Sequence, residues 1–149
     1  MPTQPLPSIL VANHQDQVPV DLIKLEQLLP KALAAVLGQT PGPSDSPLSS
    51  LEEIEVTILS DEEIAEQHEV FLGDPSPTDV ITFQHGELLI SADTAARECS
   101  ESLQPLEREL LLYSIHGLLH LRGYDDLSAS DREQMHAVQD RILALLWPE

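Results

Sequence analysis

Residues 106–121 form a strongly apolar helical segment of the chain. Its apolar side chains lie around much of the helix circumference, which is typical of a helix at the centre of a fold. Pro105 precedes the segment and suits the first position of a helix, where a missing N–H costs nothing. The sequence therefore predicts a buried central helix on which the other elements pack. Its apolar residues are Leu106, Leu110, Leu111, Tyr113, Ile115, Leu118, Leu119 and Leu121.

Two histidines, His116 and His120, lie four residues apart in this segment. Side chains at that spacing project from one face of a helix, one turn apart, so both imidazoles can reach one ion. Gly123 suits a left-handed turn at the helix end, after which one of residues 124–126 can reach the same ion. A single histidine in so apolar a helix is most often a core residue, but packing alone does not call for this combination. Two imidazoles and a carboxylate suit zinc, with one position left for water, so we interpret the segment as a catalytic metal site.

The residue after His116 limits the chemistry of such a site. In the H-E-x-x-H metalloproteases that residue is the glutamate that acts as general base, whereas here it is Gly117. The absence of a built-in base argues against peptide hydrolysis by that route. What remains is a metal that polarises an oxygen and lowers the pKa of its bound water.

Apolar periodicity predicts the other elements. Alternating or β-branched residues indicate strands at residues 8–13, 51–59, 78–83 and 86–91, the last two joined by a tight turn near His85 and Gly86. The 3.6-residue period indicates helices at about residues 22–37, 61–71, 92–99, 106–121 and 131–146. The N-caps of the first three are Asp21, Ser60 (with Glu63 completing a capping box), and Ser91 or Asp93. The sequence thus predicts an α+β fold: a small mixed sheet of about four strands, packed with five or so helices around the buried central helix that carries His116 and His120.

Three local features complete this prediction. Pro30 lies inside the first helix and predicts a kink or a break into two pieces. Ser128 and Ser130 both offer caps for the last helix, and Glu133 would complete a capping box from Ser130. Residues 38–50 are rich in Pro, Ser and Gly, and we interpret them as a mobile surface connector.

The composition limits the class of protein. A chain of 149 residues with 42% hydrophobic residues fits one folded domain spanning residues 1–149. Cys99 is the only cysteine, which excludes a disulfide framework and a cysteine-based zinc cluster. Residues 1–5 carry neither a basic region nor an apolar run, so no signal peptide is predicted. Because no apolar stretch reaches the roughly 18 residues of a membrane span, we expect a cytoplasmic protein.

The charge is strongly acidic. The formal net charge is -19, with only seven lysines and arginines, which is the opposite of a nucleic-acid-binding surface. Positive charge for RNA would have to be local, from a metal and a few arginines, or come from a partner. Arg122 and Arg97 are candidate phosphate contacts, although each is equally well explained as a surface ion-pair residue.

Other residues compete for a place in the metal site. Asp125 is the alternative to Asp126 as third ligand; otherwise it would bond a ligand histidine or cap the turn. His136 follows His120 by sixteen residues, and no local spacing brings it to the metal, so we expect a half-exposed helix residue. His85 is expected to be a turn residue.

Residues 116–126 resemble the H-G-x-L-H-L-x-G-Y-D-H signature of the YbeY family, bacterial zinc-dependent endoribonucleases linked to ribosomal RNA maturation. Residues 77–83 resemble that family's P-T-D-V-L-S-F strand, and residues 87–95 resemble its G-D-I-x-I-S-x-D-T-A segment. The resemblance covers roughly residues 50–145, in the same order. Two positions depart from the family pattern. Asp126 stands where the family has its third histidine ligand, and Leu72 aligns with an arginine that many members carry.

The resemblance implies a zinc-dependent, single-strand-specific endoribonuclease acting in rRNA maturation and ribosome quality control. It implies one zinc ion per chain, held by His116, His120 and Asp126, since carboxylate oxygen also binds zinc. An rRNA precursor, ribosomal proteins and other ribosome-associated factors would be the partners, with no role for DNA or a membrane. No general base is evident, so metal-bound hydroxide or the RNA 2′-OH would provide the nucleophile.

Two other functions stay open at this point. One is a metal-stabilised ribosome-assembly or adaptor protein with little catalytic activity, which the acidic surface, Leu72 and Asp126 favour. Its partners would be ribosomal proteins, whose basic surfaces an acidic domain attracts. The other is a metal-dependent hydrolase of a small molecule, favoured only if the charge excludes RNA.

Overall fold

The computed structural model describes residues 6–76 and 78–148. Within these residues lie four strands, β1 (Ser8–Asn13), β2 (Glu53–Leu59), β3 (Val80–Phe83) and β4 (Glu87–Ser91). They form one sheet in the order β1-β2-β4-β3. β1, β2 and β4 are parallel, and β3 pairs antiparallel with β4 through the predicted turn, where the Gly86 N–H donates to the Phe83 carbonyl (2.9 Å). The small mixed sheet of the predicted α+β fold is confirmed.

Five α-helices accompany the sheet in the described residues. They are α1 (Leu22–Leu37), α2 (Asp61–Leu72), α3 (Ala92–Ser102), α4 (Leu106–Leu121) and α5 (Ala129–Leu146). Asp21 and Ser91 cap α1 and α3, and Ser60 and Glu63 form the predicted capping box of α2. None of the helices in residues 6–76 and 78–148 has the length and apolarity that a membrane crossing requires. Pro77, the first residue of the segment 77–83 that resembles the family pattern, and residues 1–5 lie outside the described residues.

Pro30 does not break α1 into two pieces, which was one of the two predicted effects, the other being a kink. The helix runs without interruption from Leu22 to Leu37. Proline has no N–H to donate to the Glu26 carbonyl, which normally weakens a helix at that point. Leu29 and Leu33 on either side are buried in the core, and this packing holds the helical conformation through the proline.

The ends of the other elements differ from the predictions by a few residues. Pro105 is the N-cap of α4, with an extended backbone, rather than its first helical residue. α5 begins two residues before the predicted start because the Ser128 side chain accepts the Asp131 N–H (3.0 Å). The capping box predicted from Ser130 to Glu133 is therefore not formed, since Ser130 already lies inside the helix.

α4 contacts α1, α3 and α5 as well as strands β3 and β4. Ten of its sixteen residues are buried. At Gly117, a Cβ atom would stand 2.8 Å from Leu88 Cδ2 and 3.2 Å from Thr82 Oγ1. A larger residue here would have to displace these two side chains of β4 and β3. The packing places His116 and His120 beside β3.

Residues 38–50 do not form the plain connector that was predicted. They include a 3₁₀ turn at Leu48–Ser50, and Leu48 is completely buried. The Ser44 N–H donates to the Gly123 carbonyl (2.8 Å), and the Tyr124 hydroxyl donates to the Thr40 carbonyl (2.7 Å). The segment is thus packed on the turn that follows α4. Its Pro, Ser and Gly content indicated a loop, but could not show this contact between residues about 80 positions apart in sequence.

Two glycines with left-handed backbones give a matched stability test. A Cβ atom on Gly73 (φ +73°) would have no described atom within 4 Å, whereas a Cβ on Gly123 (φ +99°) would lie 2.7 Å from the Ser44 carbonyl oxygen. We expect Gly73→Ala to lower the free energy of unfolding by about 1 kcal/mol through backbone strain alone. Gly123→Ala should lower it by about 3 kcal/mol, because overpacking adds to the strain. Urea denaturation measures both, and equal losses would contradict the close packing at Gly123.

The Asp61 carboxylate joins the start of α2 to β4 and α3. It accepts hydrogen bonds from the hydroxyls of Ser91 (2.6 Å) and Thr94 (2.8 Å), and the Arg97 guanidinium donates to its second oxygen (2.7 Å). Burial raises the pKa of this carboxyl, but the hydrogen bonds from Ser91, Arg97 and Thr94 outweigh burial. The pKa of Asp61 therefore lies below its usual value.

A pKa lowered by folding makes stability depend on pH. The ionised carboxylate stabilises the fold above the unfolded-state pKa of about 3.9, and this contribution is lost as the pH falls through the folded-state pKa. We expect Asp61→Asn to cost about 2 kcal/mol at pH 7, because hydrogen bonds to a charged group are lost. The difference from wild type should shrink as the pH falls below about 4. Urea denaturation between pH 3 and 7 measures it, with exposed Asp140→Asn as a near-neutral control; a pH-independent difference would contradict the prediction.

Candidate metal centre

The structure brings together the three predicted metal ligands. The Nε2 atoms of His116 and His120 are 3.1 Å apart, and the two rings meet edge to face with centroids 4.7 Å apart. A carboxylate oxygen of Asp126 joins them, so that the three ligand atoms all lie within 4.8 Å of one another. Two nitrogens and one oxygen at this separation form a donor set of the kind that binds zinc, with a further position open to water.

The outer nitrogens of both rings are held by hydrogen bonds. His120 Nδ1 bonds to the Tyr124 carbonyl oxygen (3.1 Å), and His116 Nδ1 bonds to Gln139 Oε1 (2.7 Å). A carbonyl oxygen only accepts, so Nδ1 carries the proton in each neutral ring and Nε2 presents a lone pair. The lone pairs of His116 and His120 then face each other at 3.1 Å, an arrangement that requires a cation or a proton between them. The residues present therefore fit a bound metal ion.

The surroundings of His120 favour its neutral, metal-binding form. Burial lowers the pKa of this imidazole below its usual value, and the neighbouring His116 lowers it further. Asp126, the Tyr124 carbonyl and Asp125 act in the opposite direction but do not restore it. Since a metal binds only the deprotonated nitrogen, a low pKa keeps the site ready for the ion near neutral pH.

Gly117 shows why this site contains no protease-type base next to the first histidine. The space that a side chain would occupy there is filled by Leu88 and Thr82 of the sheet. A glutamate at that position would have to displace β4 side chains from the core. The interpretation that the site does not use the H-E-x-x-H route thus has a steric cause as well as a chemical one.

The turn after α4 presents Asp126 and assigns a different role to Asp125. Asp125 Oδ2 accepts from the Ser44 hydroxyl (2.7 Å), and Asp125 Oδ1 accepts from the Leu127 N–H (3.2 Å). Asp125 is therefore the turn cap that the sequence left as one possibility. The Asp126 carboxylate has no hydrogen-bond partner within residues 6–76 and 78–148, and it faces the two histidines.

The two arginines proposed as phosphate contacts point elsewhere. Arg122 donates to the Leu37 carbonyl (3.1 Å) and to the Gln39 carbonyl (3.0 and 3.1 Å), so it satisfies the C-terminal end of α1. Arg97 is bonded to Asp61. Neither arginine lines the cavity that contains the histidines. Arg97 thus has the ion-pair role that was weighed against phosphate binding, whereas Arg122 binds backbone carbonyls, a role that was not predicted.

The three ligands lie in the wall of an open cavity of about 850 Å³, called the metal cavity below. Its other walls are the end of α2, the segment Thr78 to Gln84 around β3, and Ser44 with Asp45. Among the described residues no lysine or arginine lines it. Leu72, which stands where many family members have arginine, lies at its rim and is 65% exposed.

Sequence spacing missed two residues of α5 that lie near the site. Gln139 is buried and bonds to His116, and the exposed His136 ring lies 6.5 Å from the His116 ring, centroid to centroid. The two are three residues apart and so share a face of α5. That spacing indicated a common face, but only the packing of α5 on α4 shows what the face contacts.

Comparison with known proteins identifies the family. A family model described as Endoribonuclease YbeY matches residues 10–146. The chain belongs to the YbeY endoribonuclease family. Endoribonuclease YbeY of Chlamydia pneumoniae is 30% identical over 97% of this chain and 94% of its own length. The Moorella thermoacetica protein of the same name is 33% identical, over 90% and 94%.

A solved structure agrees with this membership. The solution structure of TM1509 from Thermotoga maritima matches with a TM-score of 0.65 and 26% identity, over 93% of this chain and 89% of that one. The resemblance seen in the sequence is therefore confirmed, and so is the α+β fold. Membership of an endoribonuclease family also confirms the predicted enzyme class.

Gln139 provides a test of how the metal centre is held. We expect Gln139→Leu to weaken zinc binding about 10- to 100-fold, because His116 loses the acceptor that fixes its ring and tautomer. Gln134→Leu, at an exposed position of the same helix, should bind zinc like wild type. Competition with a chromogenic chelator measures both affinities. Equal affinity of the two variants would show that the bond to Gln139 does not orient the ligand.

Proposed function

We propose that this protein is a zinc-dependent endoribonuclease that cleaves single-stranded RNA in the cytoplasm, in rRNA maturation and ribosome quality control. The observation that carries the proposal is the convergence of His116, His120 and Asp126 on one point in the wall of an open cavity. Membership of the YbeY endoribonuclease family supplies the reaction class. One zinc ion per chain is the stoichiometry that a single group of three ligands supports.

The protein's own residues prepare this site for an ion and a phosphodiester. A bound zinc ion supplies a Lewis acid that polarises a phosphoryl oxygen and lowers the pKa of water. Gln139 orients His116 and the Tyr124 carbonyl orients His120, so the Nε2 atoms of both rings are directed at one position. Asp126 adds a negative charge at the exposed side of the group. This preorganisation lowers the cost of reorganising the site during the reaction.

The electrostatics make the metal the main positive charge of the cavity. The cavity walls include Asp45, Asp79 and Asp125 and no basic residue among those described. Phosphate therefore depends on the ion for charge neutralisation, and RNA cleavage should depend strictly on metal. The net charge of -19 also supports ribosomal proteins as partners, because their basic surfaces attract an acidic domain.

Metal content and cleavage test the proposal together. Untagged wild type should contain about one zinc ion per chain by mass spectrometry and should cut a labelled single-stranded RNA with multiple turnovers. Asp126→Ala should lose more than about 100-fold in metal affinity and in activity. Removing a ligand weakens metal binding more than removing a residue that only hydrogen-bonds to a ligand. Asp125→Ala and His136→Ala should keep the metal, since neither residue belongs to the group of three.

Each of three other results would contradict a different part of the proposal. Zinc retained in Asp126→Ala but lost in Asp125→Ala would move the third ligand by one residue. Zinc in wild type without multiple-turnover cleavage of any RNA would contradict the enzyme proposal and favour an adaptor protein. The absence of metal from wild type would contradict the metal centre itself.

A further inference from the structure

Both phenylalanines of the chain lie at the edge of the metal cavity. The edge of one ring faces the other, with centroids of Phe71 and Phe83 5.0 Å apart and planes at 74°. The His85 ring stacks on Phe83 at 5.7 Å and 22°. Large aromatic rings usually contribute to the core, but Phe71 is 56% exposed. We call these three residues the aromatic row.

The aromatic row is anchored on the core through Phe83. Phe83 is half-buried and packs against a small core cluster made of Leu59, Ile64, Ile81 and Leu89. Phe71 lies in the last turn of α2, which ends at Gly73. The His85 side chain is 71% exposed and has Glu87 Oε2 3.8 Å from its Nε2 atom. One ring of the row is thus anchored on the core, while Phe71 and His85 present most of their surface to solvent.

We propose that the aromatic row binds an unpaired nucleobase of the RNA strand whose phosphodiester lies in the metal cavity. The inference rests on the proposed function and adds how the substrate is recognised. Phe71 and Phe83 line the same cavity as His116 and His120. An RNA strand bound at the two histidines would therefore run next to the phenylalanine rings. Single-stranded RNA is commonly recognised by stacking its splayed bases on aromatic side chains.

The charge of the protein explains why stacking is needed. Proteins that hold RNA through its phosphates use lysine and arginine, and the described lining of the metal cavity has neither. Stacking depends on the π-face of the base and not on charge, so it works on a protein with a net charge of -19. A base inside a duplex is already stacked on both sides. The aromatic row thus gives a physical reason for a preference for single strands.

Three substitutions of Phe71 separate stacking from apolar contact. We expect Phe71→Ala to lower kcat/KM on a single-stranded RNA about 5- to 100-fold, the effect of losing one base–aromatic stack. Phe71→Leu should lose nearly as much, because leucine is apolar but has no π-face, whereas Phe71→Trp should equal or exceed wild type. Val70→Ala, 73% exposed on the same helix turn and outside the cavity, is the matched control. Zinc content should be unchanged in all four.

A substrate with one missing base identifies the stacked position. A series of oligonucleotides carries a single abasic residue, each at a different position. At one position the missing base should lower the kcat/KM of wild type as much as Phe71→Ala lowers it on normal RNA. Phe71→Ala should lose little more on that oligonucleotide, because the two changes remove the same interaction. For wild type, the slope of log affinity against log salt should be shallower than about -1, since few phosphates are neutralised.

Binding of the same oligonucleotides, followed by fluorescence anisotropy, keeps this test separate from catalysis. Binding that weakens with Phe71→Ala and with one abasic position supports the aromatic row, even for a wild type that cuts no RNA and so fails as an endoribonuclease. Equal binding and cleavage by wild type and Phe71→Ala would overturn the inference. So would full binding and cleavage by Phe71→Leu, which would show that apolar contact, and not base stacking, is what Phe71 provides.

Discussion

The close approach of α4 to the sheet at Gly117 is the constraint on which the rest of the structure depends. With Leu88 and Thr82 occupying the position of a side chain, the helix lies directly on β3 and β4. With α4 packed on β3 and β4 in this way, His116 and His120 line the same cavity as the β3 residues. The contact also leaves no free space for a glutamate next to the first histidine. The same position thus bears on both the placement of the metal centre and its chemistry.

The metal centre is completed by segments that are distant in sequence. α5 brings Gln139 to His116, and the turn after α4 brings the Tyr124 carbonyl to His120. That turn is also bonded to residues 38–50, through Ser44 and Asp125 among others. Each imidazole is consequently oriented by a partner outside its own helix. Orientation of this kind directs the two Nε2 atoms, 3.1 Å apart, at one position where a cation can bind both.

The acidic surface and the proposed substrate are compatible once charge and stacking are considered separately. The basic residues that the sequence offered for phosphate, Arg97 and Arg122, are engaged in structural contacts. The described wall of the cavity is acidic, polar or apolar. In the proposed complex, the metal ion provides the positive charge, and the aromatic row provides the contact with the RNA strand. Such a division favours recognition of flexible single strands over tight, charge-driven binding to any RNA.

Local sequence determined the elements and indicated the histidine pair of the predicted metal site, because caps, periodicity and the i, i+4 histidine spacing act over one or two helical turns. Asp21, Ser60 and Ser91 cap helices as their residue types indicate. The sequence could not show that α1 continues through Pro30, since burial of its neighbours decides that. Nor could it show the bond from Gln139 to His116, which joins residues on two different helices. Only the tertiary structure decided such contacts, because they depend on how whole elements pack and not on the spacing of residues within one.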